Sequence, residues 1–221
     1  MLRVLAGELR DSRAGKILLT CTTKLGMDQT VPHDFDGMGE RALAKAAHSK
    51  EPGVYFLMNS EDRGFGKLIG FEPETLERYY NGFDICIMEA DGARQKLLKG
   101  WAAHEPAVPS FITKTVGIIN LRLLGDPVTE ANIHRPAEFL KLTGGEAGDA
   151  VTLSGIERIV SHPDGLFRHA RGERILFINM AESPAEISQA ENFLKRFGVG
   201  APFDRAVYGS LFNRDYHIWL P

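Results

Sequence analysis

Short apolar runs alternate along the chain with segments of helical periodicity. Leu2, Leu5 and Leu9 recur at spacings of three and four residues, which predicts a first helix that ends before Gly15. Further helices are predicted at residues 40–48, 72–80 and 183–197. The apolar runs, which are rich in β-branched and aromatic residues, predict strands at 16–23, 54–58, 83–91, 115–120, 174–179 and 206–211.

This alternation of strands and helices predicts an α/β fold of three layers, with a mostly parallel sheet between helices. The run at 83–91 (FDICIMEAD) is almost continuously apolar, as in a strand covered on both faces. The length of 221 residues predicts one domain over residues 1–221, in which the stretch 121–171, predicted to be mostly helical, could form a small lobe. Polar and glycine-rich stretches predict a loop at 24–39, a turn or hairpin at 62–70 and irregular structure at 92–109.

The composition narrows the classes of partner. With 26 basic and 29 acidic residues the formal net charge is −3, which gives no electrostatic reason to expect nucleic acid or an anionic membrane as the partner. No apolar window reaches the length of a membrane span, and the N-terminal residues do not resemble a signal peptide. Cys21 and Cys86 lie in apolar runs, where a thiol acts as a small hydrophobic group, so we expect a reducing compartment and cytoplasmic localisation.

Two acidic residues, Glu89 and Asp91, close the most apolar predicted strand. Because side chains alternate along a strand, both are predicted to point to the same side, at the carboxyl end where α/β sheets place their ligands. Neighbouring carboxylates repel unless a cation lies between them, which suits Mg²⁺ bound by Asp91, with Glu89 orienting water or a second ligand. The alternative is structural, with Asp91 capping the following turn and Glu89 paired with Arg94.

Cations follow directly after these acids, at Arg94, Lys96 and Lys99. A loop of this kind suits contacts with phosphate oxygens, although Lys96 by itself fits a solvated loop better. His104 lies further along the same stretch and is either a catalytic residue or a structural hydrogen-bonding side chain.

The end of the first predicted strand is a second candidate site, formed by Thr20, Thr22, Thr23 and Lys24. It lies at the same edge as Asp91 if the sheet is parallel. Hydroxyl groups there could contact Mg²⁺ or phosphate, with Thr22 completing the metal shell and Lys24 neutralising a phosphate. Threonine is also a good strand residue, so the purely structural interpretation stays open.

Known nucleotide-binding motifs are incomplete in this sequence. A phosphate-binding loop needs Gly-x-x-x-x-Gly-Lys-Ser/Thr, and neither Gly15-Lys16 nor Gly66-Lys67 fits it. No metal-ligand spacing of His and Cys and no serine nucleophile elbow is found. Asn179-Met180-Ala181-Glu182 follows a predicted strand, at the place where many GTP-binding proteins have Asn-Lys-x-Asp. Because Met replaces Lys and Glu replaces Asp, we interpret it first as a strand end and second as a base contact.

Four segments together resemble the YqeC-like family of accessory proteins for selenium-dependent molybdenum hydroxylases. They are TCTTK at 20–24, EADGARQKLLKGWAAHEPAVP at 89–109, GDPVTEANIHRP at 125–136 and GLFRHARGERILFINMAES at 165–183. Their order and spacing match over essentially the whole chain, and the block that contains EADGA and HEP is the most specific. The resemblance implies a P-loop NTPase fold, Mg²⁺ and ATP or GTP as cofactors, and a molybdenum hydroxylase or its maturation machinery as the partner.

Residue by residue, the resemblance supports three groups of candidates. The catalytic candidates are Glu89, Asp91, His104 and Glu105. The metal-binding candidates are Asp91 and Thr22. The cofactor-binding candidates are Thr22, Thr23, Lys24, Arg94, Lys99 and Arg135, the last from the His-Arg-Pro motif.

Family members also carry a Gly-Lys-Thr loop, preceded by a strand, immediately before the helix that starts here at Met1. We therefore expect either that the true start lies upstream or that this protein has lost its phosphate anchor. That strand normally lies beside the one bearing Asp91, so its loss is expected to open a gap in the sheet unless another strand fills it.

Three functions follow from these patterns. The first is a nucleotide-dependent accessory protein for maturation of a selenium-dependent molybdenum hydroxylase. Such a protein could be a Mg²⁺-dependent NTPase. The second is an assembly scaffold that keeps the fold without hydrolysis. The third is an enzyme that acts on a phosphorylated small molecule without a nucleotide; it ranks last because no nucleophile or complete acid–base pair is visible.

Overall fold

The computed structural model describes residues 2–12, 15–27 and 31–221. The helices are α1 (Leu2–Asp11), α2 (Glu40–His48), α3 (Pro73–Glu77), α4 (Pro136–Thr143), α5 (Leu153–Ser161) and α6 (Pro184–Leu194). The strands are β1 (Lys16–Cys21), β2 (Lys24–Gly26), β3 (Phe35–Met38), β4 (Gly53–Met58), β5 (Ser60–Asp62), β6 (Lys67–Ile69), β7 (Ile85–Glu89), β8 (Leu98–Lys99), β9 (Lys114–Ile119), β10 (Ile133–His134), β11 (Glu173–Asn179), β12 (Arg205–Ser210) and β13 (Asp215–Trp219).

The chain divides into two compact units. Unit 1 comprises Met1–Gly92 and Ala107–Phe111, and unit 2 comprises Ala93–Pro106 and Ile112–Pro221. The α/β class expected from the sequence is confirmed, with mixed sheets. That the units work as a single domain stays a prediction.

Unit 1 is built on a parallel sheet in the order β3-β4-β1-β7. Alternate side chains of β1 face opposite ways: Leu18 packs in a core with α2 and α3, whereas Ile17 and Leu19 pack in a core with α1. Helices therefore cover both faces, and unit 1 has three layers. In the described part of the chain, β7 pairs with β1 alone and forms an edge of the sheet.

A buried lysine closes the amino end of this sheet. Lys16 begins β1, and its Nζ donates to the carbonyl oxygens of Ala47 at 2.8 Å and Ser49 at 2.7 Å, where α2 ends. A helix leaves such carbonyls without internal partners, so the ammonium group satisfies them and suits the negative end of the helix dipole. Burial lowers the pKa of Lys16, and the charge of Asp84 opposes that shift.

A small antiparallel sheet, in the order β2-β6-β5, follows the carboxyl ends of β1 and β4. It contains the hairpin predicted at 62–70. Gly70 fixes it to β1, because its N–H donates to the carbonyl of Thr23 at 2.8 Å and a Cβ there would lie 2.1 Å from the carbonyl oxygen of Cys21. The prediction of a loop at 24–39 is wrong for the residues that form β2 and β3. Residues 28–30 of that stretch lie outside the described residues.

Unit 2 is built on a sheet in the order β13-β12-β11-β9, in which β13 is antiparallel and the others are parallel. Leu176 and Ile178 of β11 and Ala206 of β12 belong to one core, which also takes residues from α4, α5 and α6. A separate pair of short parallel strands, β8 and β10, places Lys99 opposite His134.

The prediction that residues 121–171 are mostly helical is wrong. Only α4 and α5 are helical there, and they are separated by a turn in which Gly144, Gly145 and Gly148 adopt φ values of 67°, 126° and 94°. Glycine adopts positive φ at little cost, so Gly144 ends α4 and the other two glycines shape the turn that follows. None of the described helices is long and apolar enough to cross a bilayer.

Candidate functional site

The carboxyl ends of β1 and β7 meet in unit 1. Cys21 pairs in register with Glu89, and the N–H of Thr22 donates to the carbonyl of Glu89 at 3.0 Å. The structure therefore brings together Thr22 and Glu89, which the sequence placed on separate strands. Both are half-buried, so the edge that they form remains in contact with solvent.

The strand that carries Glu89 ends earlier than predicted. β7 stops at Glu89, and the next carbonyl, that of Ala90, accepts from the N–H of Ala107 at 3.3 Å. The prediction of a strand through Asp91 is wrong, because the backbone leaves the ladder before that residue. Strand alternation therefore does not fix the direction of the Asp91 side chain. The Glu89 carboxylate turns towards the next loop, since Oε1 lies 3.6 Å from where a Cβ on Gly92 would be.

The hydroxyl of Thr22 has a defined orientation. Its Oγ1 donates to the carbonyl oxygen of Ala107 at 2.6 Å, within unit 1. A hydroxyl that binds a metal ion must direct its proton elsewhere, so this hydrogen bond leaves the oxygen lone pairs for a cation. Thr23 is half-buried beside it, and its carbonyl accepts from Gly70 and from the thiol of Cys21. Lys24 is exposed at the start of β2.

In unit 2 a carboxylate joins two of the predicted cations. Glu105 Oε2 accepts from Lys99 Nζ at 3.0 Å and also from Arg135 Nη1. The side chains of Lys99 and Glu105 are 7% and 18% exposed, so this pair is largely removed from water. Burial acts to raise the pKa of Glu105, but the hydrogen bonds from Arg135 and Lys99 outweigh it and hold that pKa below its ordinary value. Glu105 is therefore ionised at neutral pH and cannot serve there as a general acid.

Close backbone packing positions this cluster at the start of α4. A Cβ on Gly100 would lie 2.2 Å from the backbone nitrogen of Phe139, so only glycine lets the end of β8 approach the helix. Arg135 is the residue before α4 and adopts the left-handed conformation, with φ 56°. The positive end of the helix dipole therefore adds to the positive charge of Lys99 and Arg135.

Arg94, a third predicted cation, acts electrostatically on His134, next to the Lys99–Glu105–Arg135 cluster. The pKa of His134 is lowered, first by burial and then by the charges of Arg135, Lys99 and Arg94, whereas Glu105 acts in the opposite direction. His134 was not selected from the sequence, although it stands next to Arg135 in the His-Arg-Pro motif. His104 is exposed and has no hydrogen-bond partner in the described part of the chain, so no side chain there orients it for catalysis.

The carboxyl ends of β11 and β12 carry a second set of polar side chains in unit 2. Asn179 Oδ1 accepts the N–H of Leu211 at 3.1 Å, and Ser210 Oγ donates to Glu182 at 2.9 Å. Arg122 joins Glu182 and Glu186, with both distances 2.8 Å. Hydrogen bonds from Arg122 are the main cause that lowers the pKa of each glutamate, and together with hydrogen bonds from the backbone of Ser183 they bring the pKa of Glu186 to about 2. The sequence motif contains Asn179 and Glu182, whereas no sequence pattern pointed to Arg122 or Ser210.

The candidate residues form neither the lining of a cavity nor a ready-made cluster of metal ligands. A cavity of about 300 Å³ in unit 2, between α4 and α5, is lined by Phe139, Thr143 and Asp149 among others, and no predicted site residue lines it. Within the described ranges, no group of three or more His, Cys, Asp or Glu side chains is arranged to hold a metal ion. Burial raises the pKa of both Cys21 and Cys86 to about 12, so neither thiol ionises at neutral pH.

The fold defines an α/β protein in which Thr22, Glu89 and Asn179 lie at the carboxyl ends of parallel strands, where this class binds ligands. The chain belongs to the YqeC protein family, whose model matches residues 1–137. The uncharacterized protein YqeC of Escherichia coli (strain K12) is 30% identical over 203 residues, which is 90% of this chain and 76% of that protein. No solved structure matches the chain. The family resemblance seen in the sequence is thus confirmed.

Proposed function

We propose that this protein binds a nucleotide together with Mg²⁺ and acts as an accessory protein in the maturation of a molybdenum hydroxylase. The observation that carries the nucleotide part is the cluster in unit 2, where Lys99 and Arg135 lie at the start of α4. The accessory role comes from the family resemblance, and with it the P-loop type of fold.

The cluster has the properties of an anion site. Lys99 is 7% exposed, and burying an ammonium group costs free energy unless negative charge compensates it. Lys99 and Arg135 bring positive charge to the cluster, where Glu105 accepts from both, and Arg94 adds its field. Phosphate oxygens are the ligands that a forked guanidinium, an ammonium and a helix start bind together.

The edge of unit 1 offers oxygen ligands that suit Mg²⁺. Carboxylates and a hydroxyl are hard donors, and Mg²⁺ is commonly bound through one or two carboxylates while it keeps several water ligands. Asp91 and Thr22 would bind the ion and Glu89 would orient a water molecule. When bound, Mg²⁺ would supply positive charge at this edge of unit 1. The orientation of the Thr22 hydroxyl towards Ala107 fits this role.

Isothermal titration of the full chain with GTP and with ATP, with and without Mg²⁺, tests the binding. We expect Mg²⁺-dependent binding that weakens by about tenfold or more in Lys99→Met, because one charge-assisted contact contributes roughly 1.5–3 kcal/mol. Lys96→Met is the matched control, since Lys96 donates to the carbonyl of Ala131 outside the cluster. Arg135→Gln tests the same charge at a more exposed residue, in case Lys99→Met lowers stability.

The Mg²⁺ part is tested separately with Asp91→Asn. We expect this variant to bind the nucleotide with less dependence on Mg²⁺. If the wild-type chain binds neither GTP nor ATP with Mg²⁺ present, the nucleotide proposal is wrong. The accessory role is tested by the activity of a molybdenum hydroxylase in cells that express the wild type or Asp91→Asn.

A second candidate function is a scaffold that assembles the partner without hydrolysis. One observation favours it: Glu105 already contacts both Lys99 and Arg135, so the cluster is satisfied without phosphate. The scaffold predicts that folded Asp91→Asn supports maturation as well as the wild type does. A folded but inactive Asp91→Asn would exclude it.

A further inference from the structure

A single carboxylate oxygen in the ion cluster of unit 2 accepts from two cations. Glu105 Oε2 accepts from Lys99 Nζ at 3.0 Å and also from Arg135 Nη1. The side chain of Lys99 is 7% exposed, whereas that of Arg135 is 28% exposed. A dissolved anion can therefore reach Arg135 while the carboxylate is in place, but it has little access to the ammonium group of Lys99.

The Glu105 carboxylate and a phosphate group cannot share this position. Two negative charges at contact distance repel each other, and the repulsion is stronger where the charges are largely removed from water. Lys99 directs a hydrogen bond at Glu105 Oε2 from a side chain that is almost completely buried. A phosphate group that contacts both Lys99 and Arg135 must therefore replace the carboxylate.

The Glu105 carboxylate can leave without a change in the backbone. Glu105 lies in the loop after β8, where its N–H donates to the carbonyl of Ala102 at 3.0 Å. Its side chain is 18% exposed, so rotation about the side-chain bonds can bring the carboxylate into water. The carboxylate then recovers its hydration, and the cost of leaving is the net loss of the hydrogen bonds from Lys99 and Arg135.

We propose that Glu105 is an internal competitor for phosphate: its carboxylate holds the position between Lys99 and Arg135 and leaves when a phosphate group binds there. This inference rests on the proposed nucleotide binding and specifies the kind of anion that the cluster accepts. A carboxylate tethered within the chain acts like a ligand at a concentration of about millimolar or more. A free monocarboxylate, which makes at best the same contacts, therefore does not displace it.

A phosphate group has what the carboxylate lacks. It carries more negative charge, and its additional oxygens can accept from Lys99 and Arg135 separately. It also gains from the positive end of the α4 dipole, because Arg135 is the residue that precedes this helix. Glu105 thus sets a threshold that a phosphate or pyrophosphate group passes and a simple carboxylate does not.

Isothermal titration of the full chain with inorganic pyrophosphate, without Mg²⁺, compares the wild type with Glu105→Gln at this cluster. We expect Glu105→Gln to bind pyrophosphate about thirtyfold more tightly, because the contacts that the wild type gives up on binding are already weakened in the variant. Without a ligand the variant should melt at a lower temperature than the wild type. When both are saturated with pyrophosphate the two melting temperatures should coincide, since the bound wild type no longer uses these contacts.

Glu138→Gln is the matched control for the loss of a nearby negative charge. Glu138 lies in the first turn of α4, and a Cβ on Gly100 at the end of β8 would lie 2.7 Å from its Cβ. Its ion-pair partner is Lys141 at 3.6 Å, and its side chain is 34% exposed. Such a charge acts on the phosphate through solvent, so its loss should change the affinity by about fivefold or less.

Glu105→Asp covers the case in which Glu105→Gln does not fold. It keeps the charge but withdraws the carboxylate by one methylene group, so it should also bind pyrophosphate more tightly than the wild type does. Equal or weaker binding by the folded Glu105 variants, an equal gain in Glu138→Gln, or acetate binding to the wild type as tightly as pyrophosphate would each overturn the inference.

The proposed nucleotide binding can fail or stand separately. If the wild type binds GTP or ATP but Glu105→Gln gains no affinity for pyrophosphate, only the inference about Glu105 is wrong. If Glu105→Gln binds pyrophosphate and the nucleotides while the wild type binds none of them, Glu105 is a competitor but the proposed nucleotide binding of the wild type is wrong. If neither chain binds any of these ligands, both proposals are wrong.

Discussion

Replacing Glu105 by glutamine removes the negative charge that holds Lys99 and Arg135 together. The carboxylate accepts one hydrogen bond from each cation, and Lys99, Glu105 and Arg135 are 7%, 18% and 28% exposed. Hydrogen bonds to charged groups contribute roughly 1.5–3 kcal/mol each. Glutamine keeps one acceptor oxygen, and the partial exposure of Arg135 weakens its pair, so we expect the free energy of unfolding to fall by about 2 kcal/mol.

Urea denaturation followed by circular dichroism measures this loss, and Glu130→Gln is the control, because Glu130 is exposed and makes no ion pair with any described residue. The control should change stability by less than about 0.5 kcal/mol. In a double-mutant cycle with Arg135→Gln, the coupling between the two sites should be about 1 kcal/mol or more. A coupling below about 0.3 kcal/mol, or a Glu105→Gln effect no larger than that of the control, would refute the reasoning.

The pH dependence gives an independent check. The folded-state pKa of Glu105 lies below the ordinary value of 4.5, so the folded state keeps the charge more readily than the unfolded chain does. The stabilisation is therefore fully present above that ordinary value and is lost as the pH falls through the lowered pKa. The difference between the wild type and Glu105→Gln should be constant near neutral pH and shrink in acid.

Three further predictions concern the packing and charges around the candidate sites. Gly100→Ala should lower the free energy of unfolding, measured by urea denaturation, by about 2–3 kcal/mol, because the added Cβ would lie 2.2 Å from a backbone nitrogen. In the control Gly92→Ala the nearest atom to the added Cβ is at 3.6 Å, so the loss should be under about 1 kcal/mol. Similar losses in the two variants would contradict the close packing at Gly100. Ser183→Ala removes the side-chain cap of α6 and should cost about 1 kcal/mol, so an unchanged melting curve would contradict the capping box. The pKa of His134 is lowered from 6.5 in the folded state, so as the pH decreases the unfolded chain takes up the proton before the folded protein does. Stability should therefore fall as the pH decreases through 6.5, and His134→Gln should flatten this slope. An identical slope in the variant would show that another group causes it.

Sequence patterns predicted the centres of the strands better than their ends. The run at 83–91 was recognised because it is almost continuously apolar, but its pairing stops at Glu89, where the chain turns to meet Ala107. β13 was missed because apolar and polar side chains are mixed at 215–219, and its pairing with β12 depends on the turn that precedes it, where Arg214 has φ 55°. Such boundaries are decided by tertiary hydrogen bonds, which local composition does not contain.

The candidate residues were found individually, but their pairings were not. Lys99 and Arg135 were expected to contact phosphate and Glu105 to take part in catalysis, yet the structure joins all three in one ion cluster. No spacing rule links Arg135 to Glu105, because the contact depends on how β8 and β10 pair. The motif at Asn179 was noticed, but the orientation of its amide depends on Leu211, which lies on another strand connection.

Lys16 offers a natural reporter for the amino end of unit 1. An acylating reagent reacts with an uncharged amine that water can reach, and Lys16 is 8% exposed with its ammonium hydrogens directed at two carbonyls. Labelling of this lysine therefore has to wait until β1 and the end of α2 separate. The rate at which mass spectrometry detects its acylation, compared with that of the exposed Lys24, would measure how often this part of the protein opens.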